Sequence, residues 1–171
     1  ERKIALQCHF DPSLPCILAD FAQIQQVFLN LIKTAIDAMT GKKIWAQATM
    51  PEAKPIKDRG DGQFIWGPSG APIWNSASLD VKRNRLYVGT GEANSGPAHP
   101  NTDALMSFDL DTGKILWSHQ ATADDVYNAG CFPGRESNKN CSGPTVYRDV
   151  DFGASTILAT APNGKDLVLA G

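Results

Sequence analysis

Ala35-Ile-Asp37-Ala-Met-Thr40-Gly41-Lys42-Lys-Ile-Trp45 and Ser107-Phe-Asp109-Leu-Asp-Thr112-Gly113-Lys114-Ile-Leu-Trp117 are two copies of one eleven-residue pattern. Asp followed by Thr-Gly is a turn signal, because the Asx side chain caps the bend and Gly accepts positive φ. The apolar residues that follow, Ile44-Trp45 and Ile115-Leu116-Trp117, read as the start of a strand. Repeated strand-turn-strand units ending in Trp mark a radial β architecture, in which each unit needs neighbours to bury its face.

Working outward, the chain changes character at Gly41. Before it, Lys3–Phe10 alternates with Ile4, Leu6, Cys8 and Phe10 on one face and reads as a strand, and Asp11-Pro-Ser-Leu-Pro15 reads as a turn. Asp20 with Gln23 forms a capping-box-like start, and Ile24, Val27, Phe28, Leu31, Ile32, Ala35 and Ile36 follow at helical spacing. This predicts a helix from about Phe21 to Met39, stopping at Gly41. After Gly41 the sequence predicts strands at Lys43–Ala48, Arg85–Gly89, Ala104–Asp109, Ile115–His119, Thr156–Ala161 and Leu167–Ala170, separated by Gly, Pro, Asn and Asp clusters. Pro51–Gly62 reads as a polar, linker-like excursion, and nothing after Lys42 sustains helical periodicity.

Composition narrows the function classes. A formal net charge of −2 over 171 residues gives no basic footprint for nucleic acid or an anionic membrane. No apolar run approaches the length of a membrane span, and no signal peptide is visible. The chain starts at Glu1 without Met and stops at Leu167-Val-Leu-Ala-Gly171, so both ends read as cut. The four cysteines lack zinc-knuckle spacing and the Cys-x-x-Cys-His of covalent haem. Cys131 and Cys141 bracket a polar loop that a disulfide would close in an oxidising compartment; two unpaired surface thiols are the other reading.

The Trp-terminated repeat resembles the tryptophan-docking motif of propellers that bind pyrroloquinoline quinone (PQQ). From Thr40 onward the chain resembles a quinoprotein alcohol dehydrogenase, most closely of the polyvinyl-alcohol type. Upstream, Ile17 to Met39 resembles the N-box region of a sensor histidine kinase ATP-binding domain, and Ala35–Gly41 fits either frame. The resemblance implies residues 1–39 as a histidine-kinase-like strand-helix fragment and residues 40–171 as a fragment of a PQQ-type β-propeller. The expected fold is therefore mainly β, a partial β-propeller of about two blades from an eight-bladed quinoprotein propeller, with an N-terminal strand-helix segment. The two Trp copies lie further apart than one ordinary blade of about 40–50 residues, as active-site insertions in that family would explain.

The same resemblance supplies candidate site residues. Gly70-Ala-Pro-Ile-Trp74, followed by Leu86-Tyr-Val-Gly-Thr-Gly91-Glu92, resembles the family's cofactor floor. It implies Trp74 under the planar quinone, where a rigid aromatic face keeps water off the ring; packing between two blades is the alternative. The residue after Gly-Thr-Gly is a Ca²⁺ ligand in methanol-dehydrogenase-like relatives, commonly Asn. Here it is Glu92, also an oxygen ligand suited to Ca²⁺, with a solvated loop carboxylate as the alternative.

Asp124-Asp125-Val-Tyr-Asn128 falls where the family places its catalytic loop. Alcohol oxidation needs a base for the hydroxyl proton. In methanol-dehydrogenase-like enzymes that base is an Asp at the position of Asn128. Asn cannot serve, which fits the polyvinyl-alcohol type, so Asp125 is carried forward as catalytic, and Glu92 and Asn128 as metal ligands. A turn in water is the other reading of Asp124-Asp125. Asp149-Val-Asp-Phe-Gly-Ala-Ser155 also resembles the polyvinyl-alcohol type and reads as the approach to a strand. Its Asp-Phe-Gly triplet lacks the other parts of a protein kinase.

The resemblance implies a parent that oxidises small or polymeric alcohols in the periplasm with PQQ and Ca²⁺. This chain alone is expected to be inactive, because a propeller site is assembled from many blades and others are missing here. A non-enzymatic propeller-like scaffold and a remnant of a sensor histidine kinase are the alternatives. ATP binding is not expected: Asn30 matches an N-box asparagine, but the Mg²⁺-binding Asn of that family falls at Thr34 and its glycine boxes are absent.

Overall fold

The computed structural model describes residues 34–36, 42–132, 138–143 and 148–171. Twelve strands occur among them: β1 (Thr34–Ile36), β2 (Lys43–Ala46), β3 (Lys54–Asp58), β4 (Phe64–Gly67), β5 (Ser69–Gly70), β6 (Ser78–Asp80), β7 (Arg85–Gly89), β8 (Ala93–Ser95), β9 (Ala104–Asp109), β10 (Ile115–Gln120), β11 (Ile157–Thr160) and β12 (Asp166–Leu169). The only helical pieces described are 3-10 turns at Val81–Arg83 and Ala129–Cys131. The fold is mainly β, a partial propeller.

At its centre is a four-stranded antiparallel sheet in the order β10-β9-β7-β6. Hairpins β1–β2 and β11–β12 flank it in sequence, as parts of neighbouring blades would. The core comes from alternation on β9, where Ala104, Met106 and Phe108 are fully buried against Val88 of β7 and Ile73, with Leu86 and Ile115 packed alongside. Period-two burial of this kind fixes the register, because a one-residue slip would send these side chains to the other face.

The two copies of the repeat fold as the same hairpin. Ala35 pairs with Trp45 and Ile36 with Lys43, while Ser107 pairs with Trp117 and Phe108 with Ile115. Both contain a register shift at the same point. In the second copy, Asp109 Oδ1 accepts hydrogen bonds from the Thr112 N–H (2.9 Å) and hydroxyl (2.7 Å), and Gly113 has φ +73°. These are the cap and the positive φ that the Asp-x-x-Thr-Gly signal demands. Trp45 reaches across to this turn. Its indole N–H donates to Leu110 O at 2.9 Å, and a Cβ on Gly113 would lie 2.4 Å from its ring.

Two expectations need correction. The helix predicted through Met39 does not include Thr34–Ile36, which are extended and paired with β2. Apolar spacing is blind to a partner strand, and cross-strand pairing overrides local helical preference. The remainder of that helix, the strand at Lys3–Phe10 and the turn at Asp11–Pro15 lie outside the described residues. The excursion at Pro51–Gly62 is also structured: it supplies β3, which pairs with β4. Pro55 and three charged residues disguise β3, and β4 buries Ile65 while leaving Phe64 and Trp66 exposed.

Candidate functional site

The loop leaving β7 is the hub of the site. Thr90 N–H donates to Ala104 O, Gly91 N–H to Pro72 O, Asp103 N–H to Gly91 O and Ala71 N–H to Glu92 O, each at 2.9 Å. Held on both sides, this loop presents Glu92 in a buried position. Against it comes a segment far along the chain. Asp151 Oδ1 accepts from the Glu92 N–H (2.8 Å) and Oδ2 from the Trp74 indole N–H (3.0 Å). The approach requires glycine at two points. A Cβ on Gly91 would lie 2.6 Å from the Asp151 carboxylate, and one on Gly153 2.8 Å from the Trp74 ring.

Glu92, Asp149 and Asp151 each place a carboxylate oxygen within 4.8 Å of the other two. Burial, then the adjoining carboxyl and charge of Asp151, then Asp149, push the Glu92 carboxyl up to about 9. Burial first, then the charges of Asp151 and Asp125, also raise Asp149. Two more acids lie beneath. Asp103 and Asp125 are both fully buried and flank the hub, Asp103 bonded to Gly91 O and Asp125 accepting the Ala93 N–H on its own carbonyl. Burial, followed by the charges of Asp125 and Asp151, raises Asp103 to about 7.

These acids are undersupplied with donors. Asp125 Oδ2 accepts from Val150 N–H (3.3 Å), but its Oδ1 is buried without a partner. Neither Asp103 oxygen is satisfied, since the neighbouring Thr102 hydroxyl donates to His99 O. Among the described residues, the ion pairs join Arg59 and Lys139 to Asp61, and Arg83 to Asp80 and Asp166; none reaches this cluster. Crowded carboxylates without a cation are costly to bury. A hard divalent cation with oxygen preference removes that cost. Beside them, the Trp74 indole is 56% exposed and held by its rim, leaving a flat apolar surface next to the acids. The donor set therefore fits a Ca²⁺-like ion together with a planar conjugated ligand.

The predicted residues divide accordingly. Trp74 and Glu92 are brought together through Asp151, and burial of Glu92 removes the reading of it as a solvated loop carboxylate. Asp125 is likewise no turn in water: it lies under the site and holds Val150. Asn128 is one step removed. Its Oδ1 accepts from Gly130 N–H (2.8 Å), capping the 3-10 turn, and its Nδ2 donates to Asn94 O (3.1 Å). Asp149 and Asp151 lie in the segment read from sequence as the approach to a strand, where neither was given a site role. The available signal was Asp-x-Asp with a glycine two residues on, which lets a carboxylate and an aromatic ring approach together.

Residues 32–131 match the family described as PQQ: Glucose/ethanol/alcohol dehydrogenase, beta-propeller domain. A polyvinylalcohol dehydrogenase of Sphingopyxis sp. (strain 113P3) is 37% identical over 138 residues, covering 80% of this chain and 21% of the relative. The chain thus spans about a fifth of that protein's length. A quinohemoprotein alcohol dehydrogenase from Comamonas testosteroni gives a structural match with TM-score 0.51 at 23% identity, over 80% of this chain and 21% of that one, a likeness of fold. A sensory histidine kinase/phosphatase NtrB of Rhizobium meliloti (strain 1021) is 53% identical over 64 residues, 37% of this chain and 12% of the relative.

Proposed function

Since the chain belongs to the PQQ-dependent glucose/ethanol/alcohol dehydrogenase β-propeller family, we propose that it is part of a periplasmic alcohol dehydrogenase of the polyvinyl-alcohol type. The observation that carries this reading is the junction of Trp74, Asp151 and Glu92 at 2.8–3.0 Å beside a third carboxylate. Trp74 would lie under the quinone, and Glu92, Asp149 and Asp151 would hold Ca²⁺. When bound, the quinone would supply a hydride acceptor for alcohol oxidation and the cation Lewis-acid polarisation beside it.

The rest falls to the chain's own residues. Asp151, rather than the buried Asp125, accepts the alcohol's hydroxyl proton. The donors on its two oxygens, Glu92 N–H and Trp74 Nε1–H, fix its orientation and leave one lone pair on each oxygen, one for the cation and one for that proton. Asp125 instead holds the 149–151 segment through Val150 N–H, and Asn128 braces Asn94. Trp74 keeps water off one face. Because the chain covers a fifth of its relatives, turnover belongs to the intact propeller. For residues 1–39 we propose a sensor histidine kinase origin with no nucleotide binding, in line with the 64-residue, 53% identical match to a sensory histidine kinase/phosphatase.

The test is Asp151→Asn in the full-length protein, assayed with secondary alcohols and polyvinyl alcohol. Loss of a general base should lower kcat about 10²- to 10⁴-fold, whereas Asp125→Glu should fall far less. Equal activity of Asp151→Asn and wild type would refute the assignment.

A further inference from the structure

We propose that Asn94 is a positioning residue for the Glu92 carboxylate, and that the Cys131–Cys141 disulfide, by joining the segments that carry Asn128 and Ser142, is the clamp that holds Asn94 in place. The inference rests on the reading of Glu92, Asp149 and Asp151 as a cation site. Asn94, at the centre of β8, turns its amide back on the hub: Nδ2 donates to Glu92 Oε1 at 3.1 Å and lies 3.4 Å from Tyr127 O. Both are acceptors, so the amide nitrogen belongs on that side. Its reach fixes Oε1 and leaves Oε2 for a cation.

What fixes Asn94 is equally specific. Its backbone carbonyl accepts from Asn128 Nδ2 (3.1 Å) and from the Ser142 hydroxyl (3.2 Å). Those donors stand on opposite sides of the bridge, one before Cys131 and the other directly after Cys141, and the bond joining these cysteines brings them to one oxygen. Two further contacts seat the loop: Asn128 caps the turn that ends at Cys131, and Lys57 Nζ from β3 donates to Cys141 O at 2.9 Å. The excursion read as a linker therefore buttresses the clamp. The chain of contacts runs from β3 through the disulfide loop and Asn94 to Glu92.

Partners that orient a metal ligand typically change metal affinity about 10- to 100-fold when removed. The experiment titrates this 171-residue chain with Tb³⁺, a Ca²⁺ substitute whose luminescence Trp74 can sensitise. Glu92→Gln should abolish the sensitised signal, and Asn94→Ala should weaken affinity roughly tenfold. Cys131→Ser with Cys141→Ser should give a similar loss in wild type but add little on top of Asn94→Ala, because the clamp acts through Asn94. Ser142→Ala provides the same cycle if the cysteine variant does not fold, which circular dichroism will report. Wild-type affinity in Asn94→Ala, or losses that simply multiply, would overturn the proposal while leaving the cation site standing. No sensitised signal in wild type, or one indifferent to Glu92→Gln, would overturn both.

Discussion

The central sheet and the loops at its end are built on opposite principles. On β7 and β9, Val88, Met106 and Phe108 are fully buried in an apolar cluster. At the hub after β7, the buried residues are Glu92, Asp103 and Asp125, with three carboxylate oxygens of the latter two unsatisfied. One region is optimised for stability. The other holds charge that the fold alone does not neutralise, and such local violations are where binding and chemistry are found.

The contrast breaks if the two regions respond alike to substitution. Phe108→Ala should cost about 3–5 kcal/mol in chemical denaturation and leave Tb³⁺ affinity of the folded fraction unchanged. Asp103→Asn should instead raise the stability of the metal-free chain by roughly 1 kcal/mol at pH 8, because it removes a carboxylate whose charge is disfavoured by burial and by the charges of Asp125 and Asp151. A loss of stability there would place Asp103 in the structural class after all.

Acidity sharpens the comparison. In the metal-free fold Glu92 is raised from its ordinary value of 4.5 to about 9, so the fold disfavours its ionised form. Its contribution to stability is complete below the unfolded value and is lost as pH rises from about 5 to 9. Melting in chelator should fall across that window, more shallowly in Glu92→Gln. Cation binding must displace that proton, so apparent affinity should rise with pH up to about 9. A flat profile in wild type would show that Glu92 is not the titrating ligand.

The same division explains what the sequence could reveal. The blade was readable because its signals are local: the Asp109–Gly113 turn, alternation on β9, and a Trp at a fixed distance from its glycine. The hairpin β1–β2 was half hidden, since Ala35 and Ile36 fit a helical face as well as a strand. The site resisted for a different reason. Trp74 and Glu92 could be named from a family resemblance, but the carboxylate joining them lies 77 and 59 positions further along. No spacing rule links Asp151 to either, and the Asp149–Ser155 segment read as the approach to a strand rather than as part of a site. Asp125 drew attention through its motif position, which does not disclose that it is wholly enclosed.

The most direct measurement is a crystal structure of the intact protein grown with PQQ and Ca²⁺. The expected result is Ca²⁺ about 2.3–2.6 Å from oxygens of Glu92, Asp149 and Asp151, with the quinone stacked on the open face of Trp74. A cation bound elsewhere, or a quinone lying away from Trp74, would contradict it.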